Sequence, residues 1–298
     1  MRLLLTISLM FFCACKDNKP VKKSPLLPTQ TQAYVSVTNY PLKWICESLL
    51  ESSSLVYYPI PSDIDPAFWT PTNETLQKML AGKKIITNGA TYEKWLETTS
   101  LPLSRLFDST IDKKSDYVII KDAIKHEHDG HVHSHDGTAF TTWLQEEFMV
   151  QQITTVSKEL QSLYPAIKDQ IVSQEKVLIK QVNELHALMK DSFKSQKKFL
   201  ASHPIYQYLA KDQDLDIVDF EWEPDAIPSA KQWQEFEAKK SHSTYMLWED
   251  NPNMETAEKL KSLGIKVIVF RQCGNIPPSN DYIKEMKNNL TNVDTALK

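Results

Sequence analysis

Glycine is scarce in this chain, which has 298 residues and only six glycines. Glycine-rich phosphate-binding loops need several closely spaced glycines, because only glycine lets the backbone approach a phosphate that closely. Neither G-x-G-x-x-G nor G-x-x-x-x-G-K-[ST] occurs, so nucleotide binding by those loops is excluded. G-x-S-x-G is absent as well, which argues against the nucleophile elbow of an α/β-hydrolase.

The chain also has few cysteines and a small net charge. Of four cysteines, Cys13 and Cys15 lie near the N-terminus, and only Cys46 and Cys273 remain beyond it. The chain is therefore not a disulfide scaffold. The sequence leaves open whether Cys46 and Cys273 pair in an oxidising compartment or stay free. The net charge of −4 gives no reason to expect a nucleic-acid partner.

Long apolar runs are absent except at the N-terminus. After Arg2, residues 3–12 form an apolar stretch that is short for a bilayer span. It ends in Phe12-Cys13-Ala14-Cys15, and a small residue directly before a cysteine resembles a bacterial lipoprotein signal. We predict a signal peptide over residues 1–14, lipidation of Cys15, and a flexible tether over 15–32. Lipid would anchor the protein in the cell envelope, at the periplasmic or extracellular face of a membrane. An ordinary signal peptide or short membrane anchor is the alternative.

Histidine is concentrated in one short segment. The run AIKHEHDGHVHSHDGTA, from Ala123 to Ala139, contains five of the eight histidines. Side chains alternate faces in an extended segment, so His131, His133 and His135 would share one side, and His126 and His128 have the same spacing. Imidazole is the commonest protein ligand of transition metals. We interpret residues 125–137 as an auxiliary loop that gathers metal ions, a solvated loop without function being the alternative.

Short apolar or β-branched runs alternate with amphipathic segments in both halves of the chain. This alternation predicts an α/β fold with parallel sheets. Residues 92–97 are expected to form a helix and 117–120 a short strand. A long run without glycine or proline follows Pro165, which predicts a connecting helix. The predicted units are an N-terminal α/β lobe (33–163), the connecting helix (164–195) and a C-terminal α/β lobe (196–298), each lobe a parallel sheet flanked by helices.

Polar side chains follow several predicted strands of the C-terminal lobe. Ligands collect at the carboxyl ends of parallel strands. His203, Glu223, Glu249 and Cys273 all stand at such ends. One imidazole, carboxylates and a thiol would make a credible Zn²⁺ or Mn²⁺ site. His186 and His242 are interpreted as structural or exposed.

Several segments resemble one known family. SHPIYQYLA, MLWEDNPNMETAEKLKSLGIKVIVF and YPLKWICESLL are similar, in this order and context, to segments of the zinc/manganese substrate-binding proteins of ABC importers. The resemblance covers roughly Ala33 to the C-terminus, and the SHPIYQY match assigns the family's third ligand to His203. It implies a two-lobed binding protein, not an enzyme. Such a protein captures Zn²⁺, or alternatively Mn²⁺, between its lobes and delivers the ion to an ABC importer permease.

The chain departs from that family at three ligand positions. The first ligand segment reads Asp65-Pro66-Ala67, with alanine in place of histidine, and the second places Thr141 where histidine is expected. No carboxylate stands between Arg271 and Cys273, where the family has its final aspartate. The chain thus resembles a divergent branch. Its site would be rebuilt from His203, Glu249, Glu223, His135 and Cys273, unless only the loop binds metal.

Two other functions remain open. HVHSHD, from His131 to Asp136, is close to the H-x-H-x-D-H signature of metallo-β-lactamase-type hydrolases, but its last two residues are exchanged. Metal-dependent catalysis also needs a rigid site, whereas this segment lies in a polar loop. A metal-buffering or sensing lipoprotein without a transporter is the second alternative.

Overall fold

The protein is described here by a computed structural model, in which residues 33–120, 125–128, 131–134 and 137–298 are placed. Within these ranges, two four-stranded sheets form the two halves of the molecule. The strands of each sheet run parallel. The predicted fold class is therefore confirmed. Residues 1–32, with the predicted signal peptide, Cys15 and the tether, lie outside the described residues, as does His135.

The N-terminal sheet has the strand order β2-β1-β3-β4. Its central strand β1 reads Val-Ser-Val and is completely buried, as expected for a parallel strand covered on both faces. The strands and flanking helices are β1 (Val35–Val37), α1 (Tyr40–Leu50), β2 (Val56–Tyr57), α2 (Asn73–Ala81), β3 (Ile85–Thr87) and β4 (Leu106–Asp108).

Side-chain caps fix where the N-terminal helices begin. The Asn39 side chain accepts a hydrogen bond from the Leu42 amide, with Pro41 in the first turn of α1, and Thr72 caps α2 through the amide of Thr75. Proline suits the first helical turn because the missing N–H would have no intrahelical partner there. Two predictions from sequence are wrong in detail. Residues 92–97 form only a short 3₁₀ helix (Lys94–Glu97), and the strand expected at 117–120 pairs outside the parallel sheet.

Two small antiparallel ladders follow β4. β5 (Ile119–Ile120) pairs with β8 (Gly137–Thr138). Between them, β6 (Lys125–His128) and β7 (His131–Ser134) form a hairpin. The histidine-rich segment is thus an insertion at the edge of the N-terminal half.

Two long helices connect the sheets. α3 (Glu146–Leu163) leads through a 3₁₀ turn at Pro165 into α4 (Lys168–Ser192), which spans about 37 Å at 1.5 Å per residue. The buried side of α4 includes Leu178, Val182 and Leu185. α4 packs against α1 and α3, and it also contacts α8 (Tyr282–Leu297) from the C-terminal half. The predicted long connecting helix is therefore present.

The C-terminal sheet has the strand order β10-β9-β11-β12. This order is the same as in the N-terminal sheet, with β9 in the place of β1. Ser229 and Gln232 form a reciprocal capping box at the start of α6. The remaining elements are β9 (Lys198–Ala201), α5 (Gln207–Gln213), β10 (Asp216–Asp219), α6 (Ala230–Lys239), β11 (Tyr245–Trp248), α7 (Met254–Ser262) and β12 (Lys266–Val269).

One apolar core links both halves through α4. It contains buried residues from β1, α1, α3, α4, β9 and α8, and each sheet has one smaller cluster on its far side. None of the described helices combines the length and the apolar character needed to cross a membrane. The arrangement places the carboxyl ends of the central strands where the two halves meet.

Candidate metal centre

His203 stands just beyond the carboxyl end of β9. The backbone there is fixed by two contacts, since the Ser202 amide donates to the Leu247 carbonyl (3.0 Å) and the Ser202 carbonyl accepts from the Trp222 amide (2.8 Å). His203 itself is only 8 % exposed. Its Nδ1 lies 4.0 Å from Oε1 of Glu223. The structure therefore brings together two of the residues that sequence analysis selected.

Glu249 follows β11, the strand next to β9. Burial, together with the nearby carboxylates of Asp65, Glu223 and Asp250, raises the pKa of its carboxyl to about 8. Like charges this close disfavour ionisation of one another. Glu249 and Glu223 are thus neighbours in a group of acidic side chains that a bound cation would neutralise.

Asp65 is a member of this group that the sequence did not predict as a ligand. It comes from the proline-rich loop after β2, in the N-terminal half, and its Oδ1 accepts a hydrogen bond from the Ala67 amide (2.9 Å). Asp65 is exposed along the cleft, but surrounding protein desolvates the carboxyl enough to raise its pKa, against the Ala67 amide and Lys94, which lower it. Its sequence signal is the Asp65-Pro66-Ala67 segment, in which alanine stands in place of histidine.

Ala67 and Thr141, which stand where the family resemblance leads us to expect histidine, do not supply a metal ligand. Ala67 is 1 % exposed and carries no donor atom. Thr141 is equally buried, and its hydroxyl donates to the Ile205 carbonyl at 2.7 Å. Thr141 therefore ties the N-terminal half to the turn that follows His203 instead of offering a ligand.

Cys273 lies in the same region but has different neighbours. Its backbone is left-handed (φ 61°), and its Sγ donates to the Arg271 carbonyl (3.6 Å). Burial raises the pKa of the thiol strongly, Glu285 raises it further and Arg271 lowers it. Cys46 and Cys273 are both buried, free thiols. The surroundings of Cys273 therefore disfavour the thiolate that a metal requires.

The auxiliary histidines lie at paired positions of the β6–β7 hairpin. The Cα register aligns His126 with His133 and His128 with His131. Directly opposed residues of an antiparallel pair belong to the same face of the ladder. This register places the four histidine positions on one face of the hairpin.

Loops from both halves enclose a cleft of about 460 Å³. Arg271 lies at its edge, bridging Asp250 (2.6 Å) and Glu285 (3.2 Å). Within the described ranges, no three His, Cys, Asp or Glu side chains are close enough together to hold an ion as they stand. The cleft-lining segments are residues 62–66, 224–225, 249–251 and 271–278.

A larger groove of about 780 Å³ lies elsewhere, along the edge strand β12 between α7 and α8. Its lining includes Lys261, Lys266 and Arg271 and has no acidic, histidine or cysteine side chain. A cation would be repelled there. The smaller acidic cleft is therefore the candidate site.

The family model of zinc-uptake complex component A, periplasmic (ZnuA), matches residues 35–296. The chain belongs to this family. No curated protein sequence matches the chain. Membership in an uptake-complex family agrees with a transport component and not with the hydrolase considered above.

Solved structures with the same fold are similar to this ZnuA-family chain. The metal-dependent lipoprotein YcdH from Bacillus subtilis is 20% identical, with a TM-score of 0.73 over 89% of this chain and 98% of that one. The Zn(II)-bound ZnuA-like domain of Streptococcus pneumoniae AdcA is also 20% identical, with a TM-score of 0.72 and the same coverage. FpvC from Pseudomonas aeruginosa, in complex with Ni²⁺, is 17% identical, with a TM-score of 0.69 over 89% and 97%. At sequence identities this low, the structural similarity shows that the fold is shared.

Proposed function

We propose that this protein captures a divalent transition-metal ion in the cleft between its two halves and delivers it to an ABC importer permease. The observation that carries the proposal is the placement of His203 and Glu249. They follow β9 and β11, the two strands between which the strand order reverses, and this switch point is where open α/β sheets bind ligands. Family membership and the acidic cleft support the same function.

The proposed ligands are His203, Glu249 and Glu223, with Asp65 supplied from the N-terminal half. Zn²⁺ is the first cargo to test, because it is the ion in the family description, and Mn²⁺ is the alternative. Cys273 and His135 complete the set predicted from sequence. Cys273 is the weaker candidate because its thiol is buried beside Glu285. The hairpin histidines would raise metal capacity and capture rate.

Calorimetry on His203→Ala tests the site. The background is the protein with the five histidines between 126 and 135 replaced by asparagine, which we call the hairpin-Asn protein. Loss of the imidazole should weaken Zn²⁺ and Mn²⁺ binding at least about 100-fold, since one ligand is removed and carboxylates are left unpaired. His242→Ala, at a surface contact with Asp216, is the control. Unchanged affinity of His203→Ala, with a normal thermal transition, would contradict the site assignment.

Membrane attachment through Cys15 is a separate part of the proposal. Cys15→Ser should move the protein from the membrane fraction to the soluble envelope fraction, because the acyl chains provide the attachment. Cys13→Ser, two residues away, is the matched control and should leave the protein in the membrane fraction. Persistence of the Cys15→Ser protein in membranes would count against lipidation.

Delivery to a permease is tested by growth in metal-depleted medium. Cells that express only His203→Ala should need about 10-fold more added metal for half-maximal growth than cells that express His242→Ala. If both kinds of cell needed the same amount of metal, metal binding by this protein would not serve transport, and a buffering role would be favoured.

A further inference from the structure

The two halves of the molecule are joined by contacts that leave little freedom for rotation. One apolar core includes residues of both sheets and of α4. Two buried hydrogen bonds also cross between the halves, from the Thr141 hydroxyl to the Ile205 carbonyl (2.7 Å) and from the Tyr282 hydroxyl to the Trp143 carbonyl (3.2 Å). Turning the halves apart would expose this core and leave buried polar groups without partners, and both are costly. Any widening of the cleft therefore requires a smaller movement.

A short exposed stretch of the N-terminal half forms one wall of the cleft. Residues 61–65, which we call the flap, are all exposed, and residues 62–65 line the cleft. The chain is anchored on both sides of the flap, because Ile60 and Trp69 are buried in the apolar cluster beside α2. Three prolines within residues 59–66 restrict the backbone φ angles. The flap is therefore built to move as a unit between two fixed points.

The side chain of Asn275 holds the flap against the C-terminal half. Its amide nitrogen donates to the carbonyls of Pro61 (2.6 Å) and Ile64 (2.7 Å). Its amide oxygen accepts from the Tyr58 hydroxyl (2.8 Å) and from the Ile276 amide (2.7 Å). An asparagine side chain has two donor and two acceptor positions, so all of them are used here.

The backbone that carries Asn275 is fixed more firmly than the flap. The Gly274 carbonyl accepts from the Tyr40 amide (2.8 Å), and the Gln272 carbonyl accepts from the Trp143 indole N–H (2.6 Å). By contrast, the two hydrogen bonds from Asn275 to the flap lie at the exposed surface. Water can replace exposed hydrogen bonds at little cost in free energy, and such regions open locally while the core stays folded.

We infer that the cleft opens by release of the flap from Asn275, while the two halves keep their relative orientation. Asn275 is thus a latch. With both N–H bonds formed, the flap lies against the C-terminal half, and without them it moves outward and carries Asp65 away from Glu249. The latch is a property of the metal-free protein, whereas its role in cargo release rests on the proposed function.

Hydrogen–deuterium exchange of the metal-free hairpin-Asn protein measures this opening. Asn275→Asp keeps the shape and the acceptor oxygen of the side chain but places an oxygen where two carbonyls need a donor. A peptide covering residues 61–69 contains the Ile64 and Trp69 amides, which donate to flap carbonyls. This peptide should exchange about 10-fold faster in the variant, and a peptide from α4 should change less than about 2-fold. Asn253→Asp, the same substitution at the cap of α7, should change neither, because aspartate also caps helices.

Release of a bound ion tests the role of the latch in the cleft. Transfer of Zn²⁺ from the hairpin-Asn protein to a chromophoric chelator should be about 10-fold faster for Asn275→Asp than for Asn253→Asp. Asn275→Ala removes the amide without adding a charge, and it should show both the faster exchange and the faster release.

Three results would overturn the inference and leave the proposed function standing. The first is exchange of the 61–69 peptide within about 2-fold of the unsubstituted protein. The second is an equal rise in the α4 peptide, which would mean that the whole fold opens. The third is unchanged Zn²⁺ release beside faster exchange. If the unsubstituted protein binds no Zn²⁺, the proposed function fails, and the exchange experiment still decides whether Asn275 is a latch.

Discussion

The two sheets share one strand order but differ at the ends of their central strands. In the C-terminal sheet, β9 and β11 lead to His203 and Glu249. In the N-terminal sheet, β1 and β3 lead to Asn39 and Asn88, whose side chains are hydrogen-bonded to each other (3.1 Å). Both places are switch points where a ligand could bind. Only one of them carries groups suited to a cation.

The N-terminal switch point is already satisfied by its own side chains. The Asn88 side-chain oxygen accepts from Asn39, Thr142 and Gln152 at 3.1 to 3.3 Å. Glu93 accepts from the Thr38 hydroxyl (2.5 Å) and the Asn88 amide (2.6 Å), while burial raises its pKa to about 7. Glu249 has like charges as neighbours instead. The comparison teaches that the polar groups at the N-terminal switch point satisfy one another, whereas those at the C-terminal switch point are suited to receive a positive charge.

Exchanging one carboxylate in each half gives the largest expected contrast. Glu249→Gln in the hairpin-Asn protein should weaken Mn²⁺ and Zn²⁺ binding about 100-fold, or about 2.8 kcal/mol, because a charged ligand is lost. Glu93→Gln should change affinity less than about 3-fold, since Glu93 bonds only its own loop and β1. Calorimetry measures both. Similar losses in the two variants would mean that the halves do not differ in function.

The pH dependence of stability is the next contrast. A carboxyl whose folded pKa lies above its unfolded value holds its proton more tightly in the folded state. The contribution of that group to the free energy of unfolding is therefore fully present below about pH 4.3, the pKa in the unfolded state. It is lost as the pH rises through the pKa in the folded state. Glu249 (about 8) and Glu93 (about 7) both predict that the metal-free protein loses stability between about pH 4.5 and 8.

Thermal denaturation across this pH range tests that prediction. At pH 8, Glu249→Gln should raise the midpoint of the metal-free protein by about 3 °C, because the repulsion is removed. Metal should stabilise the unsubstituted protein most at pH 8, where the carboxylates are ionised. A stability that rises with pH in the metal-free protein would contradict the assigned pKa directions.

Thr141→Val probes the hydrogen bond that joins the halves. Loss of the contact to the Ile205 carbonyl should destabilise the protein by about 1 to 2 kcal/mol, because a buried acceptor is left without its donor. Denaturant unfolding measures this change. Thr154→Val, which removes a hydroxyl bonded only within α3, is the control. Equal effects of the two substitutions would show that the contact between the halves has no special weight.

The smallest expected effect belongs to Tyr92→Phe. Removing a buried hydroxyl that has no hydrogen-bond partner among the described residues should stabilise the metal-free protein slightly, by about 0.5 kcal/mol, which thermal denaturation measures. A loss of stability in the metal-free protein would show that the hydroxyl serves the fold instead.

Much of the fold was predictable because its signals are local. The helix after Asn39 carries its cap and its proline in sequence, and the alternation of strands and helices indicates parallel sheets. The prediction of a helix over residues 92–97 was wrong, because the chain is redirected before a regular helix begins. Three consecutive residues there have a left-handed backbone: Gly89, Ala90 and Thr91. Such backbone conformations are rare for alanine and threonine, and sequence periodicity does not register them.

The candidate site was only partly predictable. His203 and Glu249 follow regular strands, whose ends can be read from sequence. Asp65 lies in an irregular loop of the N-terminal half, and its approach to Glu249 depends on how the two halves pack. The sequence around Thr141 does not predict its hydrogen bond, because the carbonyl that it contacts belongs to Ile205, 64 residues further along the chain. Local patterns predict elements, whereas sites formed by loops depend on the tertiary structure.

The indole contacts around the cleft have an optical consequence. Trp143 donates to the carbonyl of Gln272, and Trp248 donates to the carbonyl of Pro224 (3.1 Å). Gln272 and Pro224 both line the cleft, so a change in either loop alters the polarity around an indole. Of the seven tryptophans in the chain, these two couple cleft loops to emission wavelength. The unlabelled protein therefore carries its own fluorescent reporter of cargo, read without a dye or a tag.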